Sequence, residues 1–132
     1  MRIDKELLDA LTERAKISPR LRMNYDLRDS EEDTSMRMLN ALEPGTVVPV
    51  HRHQATSEDI VCIRGDVDVI LYDETGAETE KIKLVPGSQC QAVHIPAGVH
   101  HASRSNLSGS VILEFKNTKY NPRTCEDILD VQ

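Results

Sequence analysis

Two histidines and a glutamate stand close together in Gly45-Thr-Val-Val-Pro-Val-His51-Arg-His53-Gln-Ala-Thr-Ser-Glu58, a stretch whose first part we predict to be a strand. Alternate residues of a strand point to the same face, so His51 and His53 project together, with their Cα atoms roughly 6.5 Å apart. That separation lets two imidazoles converge on one ion at about 2.0–2.2 Å. Glu58 opens the next strand after a short connection. A hairpin can therefore return its carboxylate to the same pocket.

A third histidine, His101, follows the turn Pro96-Ala-Gly98 and begins a later strand. Proline and glycine fix the direction of that turn, and so fix where the histidine enters. Three neutral imidazoles and one carboxylate occupy four positions, which leaves an octahedral ion with two open ones. Such ligands suit Zn, Fe, Mn, Co or Ni and disfavour Ca and Mg. The sequence therefore predicts one divalent transition metal of undetermined identity, with the ligands His51, His53, Glu58 and His101.

The chain from Met36 onward has the pattern of an all-β domain. Apolar residues recur with period two, in short runs separated by turn residues such as Glu43-Pro-Gly45 and Arg64-Gly-Asp66. Many short strands at near-regular spacing are typical of an antiparallel sandwich or barrel. The runs predict strands over residues 36–42, 46–51, 59–63, 67–72, 80–84, 91–95, 101–104 and 111–116.

The N-terminal segment reads as a short amphipathic helix that ends at Ser18-Pro19, because the residue before a proline avoids helical geometry. Residues 20–34 read as irregular, and residues 126–129 as a final turn of helix. One face of the N-terminal helix is apolar at helical spacing, through Ile3, Leu7, Leu8, Leu11 and Ala15.

The length of 132 residues suits one domain with one core. We expect a helix over residues 1–19 to pack on a barrel over residues 35–122, with a tail over residues 123–132. Together they make one single domain.

The composition excludes several classes of partner. A formal charge of −6 argues against binding to nucleic acid or to an anionic membrane. No apolar run approaches the roughly 20 residues that span a bilayer, and the N-terminus lacks an apolar signal region, so we expect a cytoplasmic protein. Cys62, Cys90 and Cys125 form no CxxC pair, which predicts buried or half-buried thiols rather than a zinc ribbon.

The metal-binding residues resemble the motifs of the cupin family. The first motif, G-x5-HxH-x(3–4)-E-x6-G, is matched over residues 45–65. The second, PxG-x2-H-x3-N, is matched from Pro96 to His101, while Asn106 stands one residue late. The resemblance implies a cupin double-stranded β-helix, or jelly-roll barrel, with one short N-terminal α-helix. It also implies a homodimer, and carries the ligand role over to His51, His53, Glu58 and His101.

The wider chain is similar to the WbuC cupin metalloproteins over about residues 1–122. The similarity includes Arg37-Met-Leu-Asn40, Pro49-Val-His-Arg-His53 and Glu114-Phe-Lys116-Asn-Thr-Lys-Tyr120-Asn-Pro122. It implies a loose link to surface-polysaccharide metabolism. Substrate contacts are expected from Arg37, Asn40, Lys116 and Tyr120. Since Arg37 and Asn40 lie three apart, at most one of them points into the barrel on an unbroken strand.

Three functions stay open at this point. The first is a metal-dependent isomerase, epimerase or dioxygenase acting on a small anionic or carbohydrate-like metabolite. The second is a non-catalytic module that binds or senses a small ligand through the metal. The third is a purely structural metal, which a site closed by its four ligands would favour. Of the remaining histidines, His100 is expected to point away from the site, and His94 to be an ordinary strand residue.

Overall fold

Two antiparallel sheets make up the fold in the computed structural model, which describes residues 1–117 and 127–129. The elements are α1 (Lys5–Ile17), β1 (Arg22–Asp26), β2 (Met36–Leu42), β3 (Val50–His51), β4 (Glu58–Arg64), β5 (Val67–Tyr72), β6 (Glu78–Leu84), β7 (Ala92–Ile95), β8 (His100–Ser105), β9 (Ser110–Lys116) and β10 (Ile128–Leu129). The first sheet has the strand order β1-β2-β9-β4-β7 and the second β10-β3-β8-β5-β6. This double sheet confirms the predicted jelly roll.

Most strands lie where the period-two pattern predicted them. β2 and β5 keep the predicted bounds, while β4, β6, β8 and β9 run one or two residues beyond theirs. The strand predicted over residues 46–51 is wrong in its first part, since only Val50–His51 forms β3. Pro49 has no N–H to give to a ladder. The N–H of Thr46 donates instead to the carbonyl of Glu43 in the preceding turn, at 3.1 Å.

The prediction that residues 20–34 are irregular is wrong for Arg22–Asp26. This segment is β1, which pairs antiparallel with β2 at the edge of the first sheet. Met23 and Tyr25 pack toward the helix side, while the polar residues between them face the opposite way. The alternation was therefore present in the sequence, but with polar side chains on the inner face, where the usual rule expects apolar ones.

The helical turn predicted over residues 126–129 is also wrong within the described residues. Ile128–Leu129 is β10, which pairs antiparallel with His51 and Val50 of β3. The N–H of Arg52 donates to the carbonyl of Asp127 at 3.0 Å and extends the pairing. A run of two apolar residues is too short to show a helical or strand period. Ile128 and Leu129 are extended because they pair with the unpaired backbone N–H and C=O groups at the edge of β3.

Helix α1 lies on the outer face of the first sheet, as its amphipathic pattern predicts. Asp4 caps it by accepting a hydrogen bond from the N–H of Leu7 at 3.1 Å. Ile3 is an exception to the predicted apolar face, since it precedes the helix and is 45% exposed. The buried contacts between helix and sheet come from Leu8, Leu11, Ala15, Leu39, Ala41 and Val111.

The space between the sheets is divided between an apolar core and a polar cavity. Burial of the core side chains supplies the main favourable free energy of a fold with a single phenylalanine and no tryptophan. In the described residues, no helix is long and apolar enough to cross a membrane. The core consists of Leu42, Ile60, Cys62, Val67, Val69, Leu84, Ile95 and Ile112.

Candidate metal centre

The structure gathers the four predicted metal-binding residues at one point between the sheets. One ligand atom from each of them lies within 4.8 Å of those of the other three. His51 on β3 stands directly opposite His101 on β8. Glu58 enters from β4 of the other sheet, where it pairs with Lys116 of β9. Both sheets must therefore be assembled before the cluster exists.

The turn at residues 96–98, before His101, is hydrogen-bonded to the segment that contains His51 and His53. The N–H of Gly98 donates to the carbonyl of His53 at 2.8 Å, and the N–H of Val99 donates to the carbonyl of Pro96 at 3.3 Å. Gly98 has φ +86°, a left-handed conformation that favours glycine. This one backbone bond joins the two sequence motifs physically, and so helps to fix His101 against His53.

Backbone carbonyls orient two of the rings. Nδ1 of His51 lies 2.7 Å from the carbonyl oxygen of Pro49, and Nδ1 of His101 lies 3.0 Å from that of Val99. A ring nitrogen that faces a carbonyl must carry the proton and donate it. The neutral tautomer then leaves Nε2 of each ring with a lone pair, as a metal ligand requires. Nε2 of His101 is buried and has no hydrogen-bond partner among the described residues.

Glu58 is 3% exposed, and its Oε2 lies 2.8 Å from Nε2 of His53 and 3.5 Å from Nε2 of His101. Neither approach has hydrogen-bond geometry, so this buried oxygen also lacks a partner in the described part of the chain. Burial by itself would raise the pKa of Glu58, but the contacts with His101 and His53 outweigh it and hold the pKa well below its ordinary value.

The four residues therefore fit a divalent cation. Leaving a buried carboxylate oxygen and a buried imidazole nitrogen unpaired is costly. A cation between them would satisfy both atoms at once, and three imidazoles with one carboxylate are a donor set that transition metals accept. The inference rests on the unpaired Oε2 of Glu58 and Nε2 of His101. It also rests on the Nε2 lone pairs of His51 and His101, which remain free for a metal because Nδ1 of each ring donates to a backbone carbonyl.

A cavity of about 310 Å³ opens from the cluster along the inner face of the first sheet. An ion in the cluster would add positive charge to a wall that already has more cationic than anionic side chains, so the cavity suits an anion. The cationic side chains that line it are Arg20, Arg22, Arg28 and Lys116, and the anionic ones are Asp26, Glu58 and Glu114.

Of the four residues expected to contact substrate, two line the cavity, one does not, and one lies outside the described residues. Asn40 and Lys116 line the cavity, and Nζ of Lys116 lies 3.5 Å from Nε2 of His53. Arg37 is not part of the lining, and its guanidinium pairs with Asp33 at 2.8 Å. This agrees with the expectation that at most one of Arg37 and Asn40 points inward. Tyr120 lies outside the described residues.

Several cavity residues were missed by the sequence reasoning, among them a set on β1. Arg22, Asn24 and Asp26 line the cavity from alternate positions of β1. Their signal was the period-two alternation of polar residues with Met23 and Tyr25, which becomes informative only if the polar face is allowed to point inward.

The other histidines lie outside the cavity lining. His94 on β7 is exposed and pairs with Asp59, with Nδ1 and Oδ1 2.7 Å apart. His100, next to His101 on β8, points to the opposite face of the strand, as expected. It is nevertheless only 5% exposed, and this burial, together with the charge of Arg52, lowers its pKa.

The comparisons with known proteins agree with this architecture. The family described as "Domain of unknown function (DUF6016)" matches residues 3–84. The TT1209 protein of Thermus thermophilus is 25% identical, with a TM-score of 0.62 over 89% of this chain and 98% of that one. KdgF from Halomonas sp. is 22% identical, with a TM-score of 0.59 over 76% of this chain and 83% of KdgF.

A third similar structure is CapF from Staphylococcus aureus, described as a capsular polysaccharide assembling protein. It is 21% identical, with a TM-score of 0.61 over 80% of this chain and 30% of CapF. The comparison with curated proteins gives no match. These structural neighbours are cupin-fold proteins, so the fold of this chain is the cupin jelly roll. The finer resemblance to WbuC stays a prediction.

Proposed function

The chain belongs to the DUF6016 family, and from this premise we propose that it is a cupin metalloprotein that binds one divalent transition metal and takes a small anionic or carbohydrate-like metabolite as its ligand. One observation carries the proposal: Oε2 of Glu58 and Nε2 of His101 are buried without hydrogen-bond partners in the described chain, 3.5 Å apart, beside a polar cavity. The metal ligands are His51, His53, Glu58 and His101.

The bound ion, which would be Zn, Fe, Mn or Ni, would supply Lewis acidity or activate oxygen for an isomerase, epimerase or dioxygenase reaction. The chain's own groups do the positioning. Lys116 sits at the rim of the cluster, where its ammonium can hold an anionic oxygen of the ligand. Glu114, two residues earlier on β9, lines the same cavity and is placed to accept or donate a proton.

Asn40 and Lys116 are our leading candidates for substrate contact, because both line the cavity. Arg37 and Tyr120 stay predictions from the family resemblance. That resemblance also supports a homodimer, which light scattering of the purified protein tests. A link to surface-polysaccharide metabolism is part of the proposal, supported only by the likeness to WbuC and by the similarity to CapF, a capsular polysaccharide assembling protein.

A non-catalytic binding or sensing module would use the same cavity in the same way. The cavity favours either of these functions over a purely structural metal, since a structural site needs no polar chamber of about 310 Å³ beside it. Turnover of a bound acid by the metal-loaded protein separates an enzyme from a binding module.

Elemental analysis of protein purified without a metal-affinity column tests the metal assignment. We expect near-stoichiometric metal in the wild type and a sharp loss in His53→Ala and in Glu58→Gln, because each removes one ligand and leaves the others poorly oriented. His94→Ala is the matched control, since this exposed histidine lies outside the cluster. Full occupancy in both ligand variants would overturn the assignment.

A further inference from the structure

The cavity wall away from the metal cluster carries amide side chains. Asn24 of β1 stands directly opposite Asn40 of β2, and both line the cavity. Directly opposed residues of an antiparallel pair have their Cβ atoms about 4.5–5.5 Å apart on the same face. Glu114 of β9 and Ser103 of β8 line the same space. This wall therefore presents closely spaced hydrogen-bonding groups from three neighbouring strands and from the facing sheet.

Asn40 supplies the specific signal. Its Oδ1 is buried and has no hydrogen-bond partner in the described residues. An amide oxygen only accepts hydrogen bonds, so it is satisfied by a group that donates one. A ligand hydroxyl can donate to this oxygen, whereas an ionised carboxylate cannot. The wall at Asn40 is thus suited to the hydroxyl-bearing part of a ligand.

The opposite end of the cavity has the reverse preference. Nζ of Lys116 lies 3.5 Å from Nε2 of His53, and Lys116 pairs across the strands with Glu58. Together with a divalent ion held by three neutral histidines and one carboxylate, this ammonium makes the cluster end positive.

Two of the arginines that also line the cavity are engaged elsewhere, since Arg22 donates to the carbonyl of Val47 at 2.9 Å and Arg28 pairs with Asp26 at 2.8 Å. A ligand carboxylate is therefore attracted to the cluster end, where the charges of the ion and Lys116 add, and its hydroxyls are left to face the amides.

The strand register sets how far apart the two ends are. Asn40 stands opposite Ile112 of β9, and Lys116 lies four residues further along the same strand. At 3.3 Å per residue this is roughly 13 Å between backbone positions, part of which the two side chains cover. A two- or three-carbon acid bound at the metal leaves Asn40 unsatisfied. A longer polyhydroxylated acid can reach both ends.

We infer that the ligand is an acidic carbohydrate, a polyhydroxylated carboxylic acid of monosaccharide size or larger, with its carboxylate at the metal and Lys116 and its hydroxyls at Asn40 and Asn24. This deepens the proposed function and rests on it. The cavity volume of about 310 Å³ is at the lower end of the range of small-molecule sites, which suits a ligand of this size.

Calorimetric titration of the metal-loaded protein tests the assignment. The probes are the hexuronates D-glucuronate and D-galacturonate, the three-carbon acid lactate, and D-glucose, which lacks a carboxylate. In the wild type we expect at least one hexuronate to bind more tightly than lactate or glucose. In Asn40→Leu its affinity falls about tenfold, the loss of one hydrogen bond, while lactate binding is unchanged.

Two further variants keep the test decisive. Asn24→Ala, on the exposed side of the amide pair, should weaken the same hexuronate and spare lactate, and it carries the test if Asn40→Leu does not fold. Asn106→Leu is the matched control, because this exposed asparagine bonds Asp66 on another part of the surface and should change neither affinity. Metal content and melting temperature are measured for every variant.

The possible outcomes distinguish a failure of the acidic-carbohydrate assignment from a failure of the proposed metal-dependent function. If lactate binds as tightly as both hexuronates, or if the asparagine variants weaken both kinds of acid equally, the carbohydrate assignment is wrong while metal-dependent acid binding stands. If the wild type holds no metal, or if the metal-loaded protein binds no acid, the proposed function itself fails and this inference fails with it.

Discussion

Gly65 leaves almost no room for a side chain, and Gly65→Ala is a sharp test of the packing around it. This glycine closes the first motif in the turn between β4 and β5, with φ +96°. A Cβ at Gly65 would lie 2.2 Å from Oγ and 2.6 Å from Cα of Ser110. Ser110 is fully buried, and its hydroxyl donates to the carbonyl of Leu107 at 2.6 Å. It cannot swing aside without losing that bond.

The expected cost has two parts. A left-handed conformation costs a residue with a Cβ roughly 1–2 kcal/mol. Overpacking against fixed backbone costs about 1–3 kcal/mol more, so Gly65→Ala should lower the free energy of unfolding by about 2–5 kcal/mol. Gly87→Ala is the control, since Gly87 has φ +77° and nothing within 4 Å of the added Cβ. Gly87→Ala should therefore lower the free energy of unfolding only by the roughly 1–2 kcal/mol that the left-handed conformation costs.

Urea denaturation of both variants, with and without metal, measures the difference directly. Thermal melting gives a second reading, since for a chain of this size each kcal/mol shifts the midpoint by about 4 °C. Equal destabilisation by the two substitutions would refute the reasoning, because the contact with Ser110 would then contribute nothing. A Gly65→Ala protein as stable as the wild type would refute the conformational part too.

Three further outcomes are expected. Burial raises the pKa of the Cys62 thiol to about 11, so iodoacetamide at pH 8 should label the half-buried Cys90 and spare Cys62 in the native protein, as mass spectrometry would show. Hydrogen bonds from Lys5 and then Arg64 hold the pKa of Asp9 below its ordinary value of 3.8. The stability they add is present above that value and lost as pH falls further, so Asp9→Asn should melt lower at pH 7 and show less change toward pH 3. Chelation with EDTA should lower the melting temperature of the wild type but not of His53→Ala, since an ion that binds only the native state stabilises it.

Local physics made much of this fold predictable. β2 and β5 stand at their predicted residues because each is a short, largely apolar run that ends at turn residues. The residues of the metal cluster were equally predictable, since the spacing of His51 and His53 puts both rings on one face of an extended chain. The cap of α1 by the Asp4 carboxylate and the end of the helix before Pro19 follow from local hydrogen bonding and backbone sterics.

Other features depend on partners far along the chain. β10 is a strand because β3 offers it an unpaired edge, which a local pattern does not reveal. β1 alternates in the sequence, but only its pairing with β2 shows that its polar face points inward. His101 meets His51 only through the pairing of β3 with β8. The unpaired Oδ1 of Asn40 appears only once the sheets enclose it. Sequence by itself determined the donor chemistry and the strand period, whereas tertiary structure decided the cavity, because the space beside the metal cluster is what two packed sheets leave unfilled.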